Sequence, residues 1–188
     1  MSDIITSIRL FVSTLVVCSV GYTMLVLGFA QALFPEKSQG SLLTDDQGNV
    51  IGSELIAQSF SRPEYFWPRP SAVDYDASAT GGSNLSPTNP AMTERAAGLA
   101  EAYQLVDGQT VTADLVTTSG SGLDPHIALA AAKLQMPRVA NARGLSVSEV
   151  EQLVHQCHDA PALVALGGEP LINVLRLNIA LDQQRGGQ

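Results

Sequence analysis

The sequence is poor in charge and in aromatic rings: 15% of its 188 residues are Asp, Glu, Lys or Arg, and 5% are Phe, Trp or Tyr. Basic residues are the scarcer sign, ten against eighteen acidic, for a net charge of −8. No basic surplus exists to neutralise phosphates, which argues against nucleic-acid binding. Lysine occurs only at Lys37 and Lys133, preceded by Glu36 and Ala132, so there is no P-loop. An Asp-Lys-Thr-Gly phosphorylation sequence is also missing. The two cysteines, Cys18 and Cys157, make no disulfide framework. The sharpest absence is local. From Leu10 to Pro35 there is no charged residue at all.

As a helix that run spans about 39 Å, against about 30 Å for the hydrocarbon core of a bilayer. A buried core helix is rarely apolar on every face. A cleaved signal peptide is suggested by Ala30-Gln31-Ala32. Yet the run exceeds the ~7–15 residues of a signal core, and only Arg9 precedes it as a positive charge. The reading is therefore a retained anchor over 10–34, with 1–9 before it and one domain over 35–188. Arg9 and Lys37 balance across the membrane, so only the amino terminus tips the orientation towards N-inside. Thr14, Cys18, Gly21, Leu25, Gly28 and Ala32 recur at four- and three-residue steps, with Tyr22 beside them. Such a stripe suits close packing against a partner helix, although small residues are also simply common in membrane helices.

The remainder reads as α+β with helices dominant. Ser41–Thr44 and Val50–Ile51 flank a turn cluster ending in Gly48-Asn49 and predict a β-hairpin. Leu55–Phe60 is expected to form a short helix. From Ser61 to Pro90, five prolines and Gly81-Gly82 exclude regular structure, while Tyr65, Phe66, Trp67 and Tyr75 require the loop to be ordered and packed. Asn89-Pro90 starts a helix with Met92, Ala96, Leu99 and Tyr103 on its apolar face. Asp124-Pro125 signals another, through Ile127, Ala131 and Leu134, interrupted by Pro137. Ser146 and Glu149 predict a capping box and a helix burying Val150, Leu153, Val154 and Cys157. Leu171–Leu181 is apolar throughout and reads as strand, helix, or one leading into the other.

Three groupings carry candidate chemistry. Ser119 to His126 contains Ser, Asp and His, but three to five residues apart along one turn they cannot readily form a relay, and no G-x-S-x-G elbow is present. Glu151, His155 and His158, with Asp159 adjacent, lie at metal-ligand spacing on a helix face; a solvated face is the commoner reason for that pattern. Asp74-Tyr75-Asp76 offers two carboxylates to a cation, although carboxylates two apart usually splay. Neither a catalytic residue nor a metal site is assigned from these patterns.

Four blocks stand out, and the first two are too specific to be generic. Arg69-Pro70-Ser71-Ala72, Tyr75, Gly81-Gly82-Ser83-Asn84-Leu85 and Pro87-Thr88-Asn89-Pro90 form the first, and Ser119-Gly120-Ser121-Gly122-Leu123-Asp124-Pro125-His126-Ile127 the second. Arg138-Val139-Ala140 with Ala142-Arg143-Gly144, and Leu177-Asn178 with Leu181-Asp182, are the others. Together with the leading helix they resemble the C subunit of the Kdp potassium-transporting ATPase, the KdpC family. Thr80, Ser86 and Ala128-Leu129 depart mildly from its usual residues.

The resemblance implies an accessory subunit without a cofactor of its own. ATP and K+ would be handled by a P-type ATPase subunit and a channel-like potassium-binding subunit, with a small single-helix subunit as a third partner. It implies a single-pass protein of the cytoplasmic (inner) membrane, N-terminus inside, with its domain in the periplasm. It also implies a role in assembly, and a catalytic-chaperone role that raises the ATPase subunit's affinity for ATP. An alternative of a different kind is a membrane-anchored extracytoplasmic domain that binds a metal or concentrates cations through Asp45, Asp46, Asp74 and Asp76.

Overall fold

A computed structural model describes residues 2–45, 47–103, 110–159 and 168–186. The chain divides into two compact units, Met1–Ile51 and Gly52–Gln188. The boundary falls within the second strand of the hairpin, Val50–Ser53.

The first unit is dominated by one helix, Ser2–Leu33, apolar enough to cross a membrane and with none of its residues buried. It starts eight residues before the uncharged run because Ser2–Arg9 contains no helix breaker. The helix is not uniform. Between α1 (Ser2–Leu15) and α2 (Tyr22–Leu33), residues Val16–Gly21 form a π segment. A π turn holds one extra residue, so everything downstream is turned by roughly 100° relative to a continuous α-helix. The predicted single stripe is thereby divided. Thr14, Cys18 and Tyr22 share one line, whereas Gly21, Leu25, Gly28 and Ala32 share another. Sequence spacing alone cannot reveal this, because it assumes a constant 3.6 residues per turn. After Pro35–Ser38 (α3), strands Leu42–Thr44 (β1) and Val50–Ser53 (β2) pair as the predicted hairpin. The Asp45 carboxylate closes its turn by accepting the amides of Gln47 and Asn49 and the Asn49 side chain. Asp46 lies outside the described residues.

The second unit packs helices on a three-stranded antiparallel sheet of order β3-β5-β4, formed by His126–Ala128, Leu171–Asn173 and His158–Asp159. Ile127 faces Ile172 across one ladder. Pro90–Ala102 (α4), Ala113–Val116 (α5), Leu129–Arg143 (α6), Val147–Gln156 (α7) and Val174–Gly186 (α8) complete it. Phe66, Leu115, Ile127, Val139, Val150, Val154, Ile172, Leu177 and Leu181 form the buried centre. Two expectations hold in detail, and one left open is decided. Asn89 caps α4 through Ala91 N; Ser146 and Glu149 make both bonds of the capping box on α7; and Leu171–Leu181 is strand leading into helix.

Three expectations fail. Leu55–Phe60 is a turn running into extended chain, with Ala57 N bonded to Leu123 O across the unit. Asp124-Pro125 does not start α6. The Asp124 carboxylate accepts the amide of His126 in a local turn, residues 126–128 pair with β5, and the helix begins at Leu129. Pro137 sits inside α6 without ending it. Its missing N–H would have bonded the Lys133 carbonyl, and both residues face solvent, where water can take that carbonyl.

Candidate functional site

The first two signature blocks are folded onto each other. Ser119 N bonds to Pro70 O at 3.1 Å, and Gly81 N bonds to Ser121 O at 2.9 Å. Arg69 Nη1 reaches Asp124 Oδ2 at 3.1 Å, and the same carboxylate accepts the His126 amide through Oδ1. The Ser71 hydroxyl oxygen accepts the amides of Val73 and Tyr75, whose backbones have positive φ nearby at Asp74 and Tyr75. Tyr75 then donates its own hydroxyl to Arg69 O. Two glycines are explained by contact. A Cβ on Gly122, at φ +71°, would lie 2.6 Å from Val73 Cγ2 and 2.8 Å from Gly81 O; one on Gly82 would lie 3.3 Å from Gly120 O. Ser83 and Asn84 lie in the same irregular stretch, Asn84 at φ 51°.

Burial pushes the Asp124 carboxyl up, but the bonds from His126 and Arg69 together outweigh it and hold the group below the usual carboxylate range. Asp124 is therefore an ionised tie between Arg69 and the β3 entry, and it is not poised as a proton donor. The buried Ser119 hydroxyl makes no hydrogen bond, so it is not joined to His126 in a relay.

The third and fourth blocks fasten the aromatic part of the loop. This segment has no ladder partner, so its backbone needs side chains to satisfy it. Asn178 accepts Phe66 N at 2.8 Å and donates to Phe66 O at 3.0 Å. Gln135 does the same for Trp67, at 2.8 and 3.1 Å. Arg138 lies 3.8 Å above the Trp67 ring and donates to Pro63 O, Tyr65 O and Gln135 Oε1. Its burial lowers its pKa to about 10, partly offset by Tyr103, so it stays charged at neutral pH. Arg143 donates to Glu64 O, Leu181 O and Asp182 Oδ1. Asp182 also takes the Tyr65 hydroxyl.

Gln135 and Phe66 were absent from the sequence candidates. The available signal was a glutamine among apolar residues on α6, since a polar side chain at a buried helical position needs partners. An open cleft of ≈ 240 Å³ beside this region is lined mainly by Phe60, Trp67, Pro68, Pro70, Tyr75 and Tyr103, with Ser61 at its wall and no His, Asp, Glu, Lys or Cys among its lining residues. Burial pushes the Tyr103 phenol above its ordinary value, and that of Tyr75 likewise.

The cation candidates are not brought together. Asp76 is engaged with the amide and hydroxyl of Ser78, whereas Asp74 is exposed on a left-handed turn. α7 stops at Gln156, so His158 is on β4 and not on the helix face with Glu151 and His155; its ring nitrogen bonds back to His155 O. His155 and Glu151 sit 3.8 Å apart. Among the described residues no three His, Cys, Asp or Glu side chains are grouped to hold a metal ion.

Residues 4–183 match the family model described as KdpC, the c chain of the K+-transporting ATPase. The chain is 45% identical to the potassium-transporting ATPase KdpC subunit of Parvibaculum lavamentivorans over 183 residues, 97% of each chain. It is 44% identical to that of Gloeobacter violaceus over 97% of this chain and 96% of the relative. With that of Geobacter sulfurreducens it shares 45% over 97% and 98%.

Proposed function

The chain belongs to the KdpC family of the K+-transporting ATPase, and on that premise we propose that it is the complex's non-catalytic accessory subunit, anchored by Ser2–Leu33 with its globular unit outside the cytoplasmic membrane. In this reading it holds a P-type ATPase subunit and a channel-like potassium-binding subunit together, with a small single-helix subunit alongside. ATP and K+ are handled by those partners.

The observation that carries the reading is how the signature residues are used. Arg69, Asp124, Arg138, Arg143 and Asn178 are consumed in satisfying one long loop. Residues so fixed make a rigid surface and leave no reactive constellation among the described residues, as a docking component requires. Any effect on ATP affinity then reaches the cytoplasm through the anchor helix, as a bias between conformations of the partner.

The test is to solubilise the full chain in mild detergent from its native membrane under potassium limitation and identify what co-purifies. Stoichiometric P-type ATPase and multi-helix channel-like subunits are expected. Recovery of the chain alone contradicts the assignment.

A further inference from the structure

The π segment leaves a polar group exposed in the middle of the apolar helix. The amide of Tyr22 bonds to Val17 O, five residues back, where an α-helix would have used Cys18 O. The α pattern resumes at Tyr22, and α geometry returns the next amide, that of Thr23, to the carbonyl four residues back, at Ser19. Cys18 O is thereby passed over by both amides. The Tyr22 side chain, 66% exposed, rises from the turn above it and leans back over that turn. Thr14, one turn earlier on the same line, is no donor, because its hydroxyl is returned to Leu10 O.

In water an unfilled carbonyl is hydrated at little cost. In hydrocarbon it is not, and a backbone acceptor there must be met by something else. Resting on the membrane-anchored reading above, we propose that Cys18 O and the Tyr22 hydroxyl form a docking node for a membrane-spanning helix of another subunit. That partner helix presents a hydroxyl or carboxamide, donating to Cys18 O and exchanging a bond with Tyr22. The line of Gly21, Leu25, Gly28 and Ala32 lies about 100° round the helix. The node is therefore separate from the small-residue face and engages a different neighbour. The bulge converts one seamless stripe into two contact faces on a single helix, which suits a chain that joins two proteins.

The test uses the full-length chain in its native membrane, with a second, differently tagged copy co-expressed. Deleting Val20 removes the extra residue, returns the segment to an α-helix and gives Cys18 O an intrahelical donor. A companion variant carries the same deletion with an alanine inserted after Phe29, which restores the number of residues in the helix and turns those beyond Phe29 by about 100°. Tyr22→Phe removes only the hydroxyl. Carbonate extraction checks that each variant is still embedded.

The expected result is at least a tenfold loss of partner subunits per embedded chain for both deletion variants, and a loss of several-fold for Tyr22→Phe. Full recovery of partners with both deletion variants overturns the node while leaving the accessory-subunit reading intact. Loss in the simple deletion but recovery in the length-restored one also overturns it, because length then explains the effect. Recovery of the second tagged copy without other subunits overturns the proposed partner. Wild-type chain that brings down no other protein overturns the node and the accessory reading together.

Discussion

Asn178 illustrates how this protein assigns polar side chains. It is 1% exposed and stands in for a neighbouring strand, giving Phe66 one donor and one acceptor. Asn178→Ala strands both groups in the core, and each unsatisfied buried group costs about 1–3 kcal/mol. We expect the variant to lose about 3 kcal/mol or more, read as a lower urea midpoint of the full chain in detergent by tryptophan emission, since Trp67 is the only tryptophan and adjoins Phe66. Asp124 makes a second prediction at this scale. Its folded pKa is depressed, so its contribution is complete above the unfolded value near 3.9 and is lost as pH falls through the folded value. Asp124→Asn should be less stable at neutral pH and should flatten the acid limb of the stability profile below about pH 4. An unchanged acid limb would show that Arg69 and His126 do not hold this carboxylate in solution.

At the scale of elements, legibility in the sequence followed from whether a signal was local. The capping box of Ser146 and Glu149, the Asn89-Pro90 start and the hairpin turn closed by Asp45 each depend on residues within four positions of one another. All three were readable. Asp124-Pro125 misled because the same Asp side chain that caps a helix also closes a turn, and the pairing of Ile127 with Ile172 decides between them from 45 residues away. Pro137 misled for a related reason. Its cost depends on whether the Lys133 carbonyl can find water, which requires knowing the exposed face of α6. Pro137→Ala supplies the missing amide at that exposed site and should stabilise the globular unit by about 1 kcal/mol, since proline is the poorest residue inside a helix. A thermal midpoint that falls instead would show that the proline fits a bend the helix needs. The signature blocks were visible as patterns, yet their purpose was not. Only the fold shows that Arg138, Arg143, Gln135 and Asn178 converge on residues 63–67.

For the whole molecule, the division is between an apolar helix long enough to cross a membrane, with no buried residue, and a globular unit whose distinctive residues are occupied internally. A 32-residue apolar helix with no buried residue has its packing partners elsewhere, in lipid or in other chains. A loop of roughly 30 residues without regular structure is unusual unless it carries function. Here Phe66 at 0% exposure and the bonds from Gln135, Asn178, Arg138 and Arg143 make it a fixed surface. These features fit a component whose task is to hold others in place.

The most direct test of that claim is made where the chain is missing. Membranes from a strain lacking it, grown under potassium limitation, are solubilised in mild detergent and the remaining subunits are followed on a native gel. The account predicts that the P-type ATPase subunit and the channel-like subunit migrate apart, and migrate together again once the full-length chain is restored. An intact complex of those two subunits in the absence of this chain would contradict it.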